Sequence, residues 1–276
     1  MSVTIHRDVV YSRPPGYRPV ALDLYVPAEP AAALCLYLHG GGWRLGSRSY
    51  GPGAARSWSP SFFERVAAMG LAVASLDYRL SGEAVFPAQL EDVSAAAGFL
   101  ARERASFGVA TPRTVAWGVS AGGQLAAMLA LTAPEPPVDA VVCWYTPADL
   151  GALSGDVDQA GGHGDRGPDS REAQLIGAPL DERPDLAEAA SPVRFAHPGA
   201  PPFLLVHGTA DDLVPIRQSE RLADALIAAG ASVTIDLVEG ASHMFPELGD
   251  DATTEVIVRS AGFLLDQVDK AVTHAS

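Results

Sequence analysis

The sequence predicts an α/β fold in which a mostly parallel sheet is covered by helices on both faces. Short apolar, β-rich runs alternate with helical patterns along the chain, which is typical of this class. Several of these runs are continuously apolar, as expected for strands that are buried on both faces. The 276 residues, 48% of them hydrophobic, suffice for a large core. We therefore expect a single domain over residues 1–276.

Strands and helices are predicted along most of the chain. The expected strands are, in chain order, Val20–Val26, Ala33–Leu38, Leu71–Leu76, Thr114–Trp117, Ala140–Tyr145, Pro202–Val206 and Val233–Val238. The expected helices are Phe62–Met69, Gln89–Arg104, Ala121–Leu131, Ile216–Ala229 and Thr253–Val268. The second of these shows the pattern clearly, because Leu90, Val93, Ala97 and Leu100 recur on one helical face.

Two segments interrupt this alternation. Residues 146–201 are rich in Gly, Pro and Asp, and within them Ser154–Asp169 is predicted to be a loop, as is Ser47–Pro60. Long loops in a compact domain are usually functional or mobile. Residues 146–201 and Ser47–Pro60 are therefore candidates for functional segments.

Composition excludes several classes of partner. The net charge is −14, and an acidic surface repels phosphate backbones, so we expect no nucleic-acid partner. The longest apolar runs, such as Ala31–Leu38, are far shorter than the roughly 20 residues that span a bilayer. The first residues show no basic segment followed by an apolar one, so we expect a cytoplasmic protein without a membrane partner. A homo-oligomer is compatible with the sequence.

Two cysteines are too few for a disulfide framework. Cys35 and Cys143 each lie in an apolar run, and neither has metal-ligand residues nearby in the sequence. We expect both to be buried, reduced thiols that pack as small hydrophobic residues.

A candidate nucleophile lies between a strand and a helix. Gly118-Val119-Ser120-Ala121-Gly122 fits G-x-S-x-G, directly after the apolar run that ends at Trp117. A nucleophile elbow requires this strand–turn–helix context, which lifts the serine Oγ above the sheet. We therefore predict that Ser120 is the nucleophile. The alternative is a glycine-rich turn whose serine caps a helix.

A second glycine-rich motif follows an earlier strand. His39-Gly40-Gly41-Gly42-Trp43 comes directly after Ala33–Leu38 and is of the HGGG type. Glycines allow backbone N–H groups to approach a ligand closely, and two such donors with the N–H of Ala121 would stabilise a tetrahedral oxyanion. The phosphate-binding patterns G-x-x-x-x-G-K-[ST] and G-x-G-x-x-G are absent from the sequence. We expect His39 itself to be structural.

A nucleophilic serine needs a base, for which His243 is the strongest candidate. His243 lies in the loop after Val233–Val238, at the edge of a parallel sheet where active sites occur. His163 has no strand before it, His207 is expected to order its own turn, and His274 is near the end of the chain.

The base in turn needs an orienting carboxylate. Asp211 and Asp212 both follow the strand Pro202–Val206. Adjacent side chains point in different directions, so only one of them can face His243. Residue spacing by itself leaves this choice open.

Together these motifs resemble the carboxylesterase/lipase group of the α/β-hydrolases, near its hormone-sensitive-lipase-like and bacterial ferulic-esterase-like branches. The resemblance extends from about Leu22 to Phe263. Its main segments are Leu22–Pro27, His39–Trp43, Asp77–Leu80, Phe86–Asp92, Gly118–Gly123, His207–Pro215 and Gly240–His243. Leu80-Ser81-Gly82-Glu83 departs from the L-A-P-E of the lipase-like branch, and Trp43 favours the ferulic-esterase-like branch.

The resemblance implies an α/β-hydrolase fold and assigns roles. In the family pattern H-G-x-x-D-x-x-V-P the acid corresponds to Asp211, and the glycines after H-G correspond to Gly41 and Gly42 as oxyanion donors. It implies a serine esterase that cleaves small or aryl esters through an acyl-enzyme, with a small-molecule ester as partner and neither cofactor nor metal. The alternatives are an amidase, such as an arylformamidase, and a ligand-binding protein of the same fold.

The resemblance also implies a role for the two interrupting segments. In this fold an insertion at the position of residues 146–201 walls the substrate site, so we expect these residues to form a cap-like insertion that does so together with Ser47–Pro60. Apolar residues of the insertion are candidates for this wall, with packing against the core as their alternative: Leu150, Leu153, Leu175, Ile176 and Leu180.

Overall fold

The structure is a computed structural model that describes residues 2–133 and 137–274, the side chains of Ala54 and of residues 272–274 excepted. Within this part the chain forms an eight-stranded sheet. The strands are β1 (Val3–Ser12), β2 (Val20–Pro27), β3 (Ala33–Leu38), β4 (Leu71–Leu76), β5 (Thr114–Val119), β6 (Val141–Trp144), β7 (Phe203–Gly208) and β8 (Val233–Val238). Their order across the sheet is β1-β2-β4-β3-β5-β6-β7-β8.

The sheet is parallel from β4 to β8 and antiparallel only where β2 meets β1 and β4. The residues of β3, β4 and β5 are all buried, because helices cover both faces of the sheet. This explains why their sequences are almost entirely apolar rather than alternating, with Ser75 and Thr114 as buried polar exceptions. The predicted mostly parallel sheet is confirmed.

Helices form the two outer layers. They are α1 (Phe62–Ala68), α2 (Ala88–Glu103), α3 (Ala121–Thr132), α4 (Leu150–Gln159), α5 (Arg171–Ile176), α6 (Pro184–Ala189), α7 (Arg217–Ala228) and α8 (Asp250–His274). One core cluster contains Val93 of α2, Leu125 of α3 and Leu222 of α7. The other contains Phe62 of α1 and Val256 of α8. Each predicted helix is therefore present. None of the helices in the described residues is long and apolar enough to cross a membrane.

The first strand was not predicted from the sequence. β1 lies at the sheet edge, and its register against β2 shifts between His6 and Val9, with Asp8 at φ +56°. A bulge of this kind changes which residues face the sheet partway along the strand. The apolar residues of β1 consequently do not keep one alternating phase.

The insertion is more ordered than the sequence suggested. The prediction that Ser154–Asp169 is a loop was wrong for its first residues, because α4 continues to Gln159. The Asp149 side chain caps α4 by accepting a hydrogen bond from the Ala152 N–H at 3.3 Å. Two glycines within α4 lower its intrinsic helix propensity, which is why the sequence pattern concealed it. Ser47–Pro60 is a loop with one 3₁₀ turn at Gly53–Ser57.

Candidate active site

Ser120 occupies a sharp turn between β5 and α3. Its φ and ψ are 52° and −123°, a conformation that costs energy for any residue with a side chain. The turn is sterically possible because its neighbours are glycines. A Cβ on Gly118 would lie 2.1 Å from the carbonyl oxygen of Gly122, and one on Gly122 would lie 2.1 Å from that of Leu38. Although Ser120 precedes α3, its hydroxyl does not cap the helix.

The Ser120 hydroxyl instead faces a histidine that is bound to a carboxylate. Ser120 Oγ lies 3.0 Å from His243 Nε2, and His243 Nδ1 lies 2.7 Å from Asp211 Oδ2. An ionised carboxylate only accepts hydrogen bonds, so the partners assign the proton to Nδ1 and leave Nε2 free to accept from the serine. The structure thus brings together Ser120 and His243, which the motifs selected, with Asp211, which the family resemblance implied.

The environment of Asp211 keeps it ionised. Its Oδ1 accepts hydrogen bonds from the N–H groups of Leu213 at 3.0 Å and Val214 at 2.9 Å. Burial raises the pKa of Asp211, but hydrogen bonds from His207, His243 and the Val214 N–H outweigh it and lower the pKa to about 2. Asp212 is exposed. Asp211 is therefore the carboxylate that meets His243, as the resemblance implied.

The other histidines have different surroundings. His207 is buried, with Nδ1 2.7 Å from Ser219 Oγ and Nε2 2.7 Å from the Val214 carbonyl oxygen, so it orders its turn as expected. His39 stacks on Tyr78 with ring centroids 4.4 Å apart. His163 is exposed, and the His274 side chain lies outside the described part of the structure.

The glycine motif presents free backbone donors. Gly41 and Gly42 have φ of +124° and +59°, values that favour glycine. The Gly41 carbonyl accepts hydrogen bonds from the N–H groups of Arg44 and Leu45, which closes a tight turn. Among the described residues, the N–H groups of Gly41, Gly42 and Ala121 have no backbone or side-chain acceptor, and all three residues line the cavity that contains Ser120.

A tyrosine supports the histidine from the side. Tyr145 follows β6 and has a φ of +39°, and its ring contacts the ring of His243 edge-on at 4.8 Å. Residues held in such sparsely populated conformations cluster at functional sites. The sequence analysis did not select Tyr145, although its position at the carboxyl end of a predicted strand was a usable signal.

A cavity of about 720 Å³ opens beside Ser120 and His243. Ser47–Pro60 contributes Tyr50, Pro52 and Arg56 to its lining, and the insertion contributes Pro147, Arg171 and Glu172. The prediction that apolar residues of the insertion wall the substrate site was wrong. Its members are buried or packed against the core and do not line this cavity, because the insertion helices turn their apolar faces inward: Leu150, Leu153, Leu175, Ile176 and Leu180.

Within the described residues, no three His, Cys, Asp or Glu side chains form a group that could hold a metal ion. Cys35 and Cys143 are buried and not disulfide-bonded. Burial raises the pKa of the Cys143 thiol to about 12 and that of Cys35 further, so both remain protonated.

Comparison with known proteins identifies the class. The BD-FAE family model matches residues 22–226, and the chain belongs to this family. The chain is 29% identical to esterase LipC of Mycobacterium tuberculosis over 96% of its own length and 66% of that of LipC. It thus spans slightly less than two thirds of this curated relative.

Solved structures confirm the α/β-hydrolase fold. A truncated carbohydrate esterase from gut microbiota superimposes with a TM-score of 0.79 and 26% identity, covering 96% of both chains. Esterase 2 of Thermogutta terrifontis, solved with butyrate bound, gives a TM-score of 0.71 and 26% identity, covering 94% of this chain and 93% of that one. The predicted resemblance to α/β-hydrolase esterases is therefore confirmed.

Proposed function

We propose that the protein is a serine hydrolase that cleaves carboxylic esters through an acyl-enzyme. The observation that carries this proposal is the continuous hydrogen-bonded line from Ser120 Oγ through His243 to Asp211, with distances of 3.0 and 2.7 Å. Three free N–H groups beside the serine complete the arrangement that acyl transfer requires. Membership of the BD-FAE family and the similarity to LipC support the same chemistry.

In the first half-reaction, Ser120 Oγ attacks the ester carbonyl while His243 Nε2 takes its proton. Asp211 stabilises the resulting imidazolium. The N–H groups of Gly41, Gly42 and Ala121 hold the developing oxyanion, and His243 then gives its proton to the departing alcohol. In the second half-reaction, His243 deprotonates a water molecule that attacks the acyl-enzyme. The histidine then returns this proton to Ser120 Oγ as the acid is released.

The cavity suits a small acyl group and an aryl or short alkyl alcohol. Its volume of about 720 Å³ lies within the range typical of small-molecule sites. Exposed apolar side chains of Leu213 and Met244 contribute to its lining. The butyrate bound to the similar Thermogutta esterase supports a short acyl chain as the preferred substrate.

Replacement of the nucleophile tests the proposal. We expect Ser120→Ala to reduce kcat for p-nitrophenyl butyrate by about 10³-fold or more without unfolding the protein. Ser154→Ala is the matched control, because its hydroxyl donates to the Asp165 carbonyl outside this cavity. A fluorophosphonate should label Ser120 in the wild type and in the control. Wild-type turnover by a folded Ser120→Ala variant would refute the assignment.

Matched esters and amides distinguish an esterase from an amidase of the same fold. We expect phenyl acetate to be cleaved much faster than acetanilide, and a preference for the anilide or for an N-formyl aryl amine would assign amidase activity instead. Saturable binding of an ester without turnover would assign a ligand-binding role.

A further inference from the structure

Arg171, which belongs to the insertion, lies against Gly42 of the motif His39–Trp43. Arg171 is the first residue of α5 and lines the cavity that contains Ser120. A Cβ placed on Gly42 would lie 2.5 Å from Arg171 Cδ and 3.2 Å from Arg171 Nε. The aliphatic part of Arg171 therefore crosses Gly42, and its guanidinium begins beside one of the free N–H donors.

This guanidinium forms neither a salt bridge nor a side-chain hydrogen bond within the described part of the chain, and its charge acts on the neighbouring Glu172. The two other arginines that line the cavity are engaged. Arg44 donates to the Asp169 carbonyl and to Gln174 Oε1, and Arg56 stacks over the Tyr50 ring at 3.7 Å. The N–H donors of Arg56 and Arg171 are both available to a ligand, and of these two side chains Arg171 is the one that lies against Gly42.

The charge of the lining is opposite to that of the protein as a whole. Among Arg, Lys, Asp and Glu residues, the cavity lining contains three arginines and Glu172, so these side chains give it a net positive charge. The chain as a whole carries a net charge of −14. Glu172 forms no salt bridge within the described residues. Burial raises its pKa, and the charge of Arg171 partly opposes this increase. A positive patch in an otherwise acidic protein attracts anionic ligands to the cavity.

We propose that Arg171 is a specificity-determining residue that binds a carboxylate on the substrate. The inference rests on the proposed ester hydrolysis and adds a substrate class: esters that carry a carboxylate on either their acyl or their alcohol side. A guanidinium pairs with a carboxylate through two parallel hydrogen bonds. Glu172 restricts the position of the anion, since a second negative charge nearby is repelled.

Two isosteric substrate pairs test this proposal. One pair is the acetate esters of meta-hydroxybenzoate and meta-hydroxybenzamide, which differ by a charge on the leaving group. The other is the phenyl monoester of adipic acid and its terminal carboxamide, which differ by a charge on the acyl group. For at least one pair, we expect wild-type kcat/KM to favour the carboxylate by about tenfold or more, as for a hydrogen bond to a charged group.

Three variants identify the residue responsible. Arg171→Gln should bring the carboxylate-to-amide ratio of kcat/KM close to one, mainly through KM. Glu172→Gln should raise this ratio, because it removes the opposing charge. Arg259→Gln is the control, since this exposed arginine of α8 pairs with Asp236 away from the cavity, and it should leave the ratio unchanged. Increasing salt should lower the wild-type ratio.

Failure of this inference is distinguishable from failure of the proposed function. Equal wild-type kcat/KM within both pairs would refute carboxylate recognition while leaving ester hydrolysis intact. An equal loss on charged and neutral substrates in Arg171→Gln would also refute it, and would place Arg171 at the oxyanion instead. Ester hydrolysis at the wild-type rate by a folded Ser120→Ala variant would refute the proposed function itself.

Discussion

Replacing Asp211 by asparagine tests the proposed proton path at its most sensitive point. The introduced amide keeps its oxygen where it accepts the Leu213 and Val214 N–H groups, because turning the amide would place its NH₂ against two donors. Its NH₂ group then occupies the position of Oδ2, 2.7 Å from His243 Nδ1. Since this NH₂ donates, His243 must carry its proton on Nε2, which then cannot accept from Ser120.

The expected loss is large, because the variant keeps the shape of the site and removes the reactive tautomer. Comparable substitutions in other serine hydrolases lower kcat by about 10⁴-fold. Asp212→Asn alters an exposed side chain and should change kcat by no more than about twofold, as surface substitutions change free energies by about 0.5 kcal/mol.

The assay is the steady-state hydrolysis of p-nitrophenyl butyrate at neutral pH, with circular dichroism and urea denaturation to establish that both variants fold. The reasoning would be refuted by an Asp211→Asn variant that keeps more than a tenth of wild-type kcat, or by an Asp212→Asn variant that is the more damaged of the two.

Further predictions concern stability and specificity. Because the pKa of Asp211 is lowered from 3.8 to about 2, its carboxylate should stabilise the fold by about 2 kcal/mol above pH 4, and this contribution should be lost as the pH falls from 4 towards 2. Urea denaturation should therefore show a weaker loss of stability at low pH in Asp211→Asn, and an equal loss would contradict this. Gly122→Ala should destabilise the protein by about 1–3 kcal/mol or more, since its Cβ would meet the Leu38 carbonyl. Gly98→Ala is its control, with only the flexible Arg102 side chain nearby at 3.5 Å, and should be neutral or stabilising by about 0.5–1 kcal/mol in thermal denaturation. Along a p-nitrophenyl acyl series, kcat/KM should fall beyond short chains, since a pocket discriminates one methylene by about 1–3 kcal/mol. A flat series from acetate to decanoate would contradict a preference of this cavity for short acyl groups.

The central strands could be predicted from the sequence because both of their faces are buried. β3, β4 and β5 are covered on both faces, so every residue is apolar or small and the run is recognisable without knowing the fold. β1 could not be predicted in this way, because it is an edge strand with a bulge. α4 was missed because its stability comes from burial of Leu150 and Leu153 and from the pairing of Asp156 with Arg221, not from helix propensity.

What the sequence determined by itself is local. The nucleophile elbow requires glycines within two residues of Ser120. The motif His39–Trp43, which supplies the oxyanion donors, requires glycines shortly after a strand. Both can therefore be recognised in a short segment. Both glycine requirements are confirmed by close backbone approaches, such as that of Gly122 to Leu38.

What only the tertiary structure decided depends on contacts between distant segments. Ser120 and His243 are 123 residues apart. Residue spacing left Asp211 and Asp212 open, and the family resemblance named Asp211 without a physical reason. The structure supplies that reason, because the Asp211 side chain turns into the protein, where two backbone N–H groups and His243 meet it. The charged lining of the cavity is likewise invisible in sequence, because Arg171 acquires its significance only when folding lays it across Gly42. A side chain's chemistry is written in its residue type, but its pKa, its partners and its access to substrate are set by the atoms that the fold places around it.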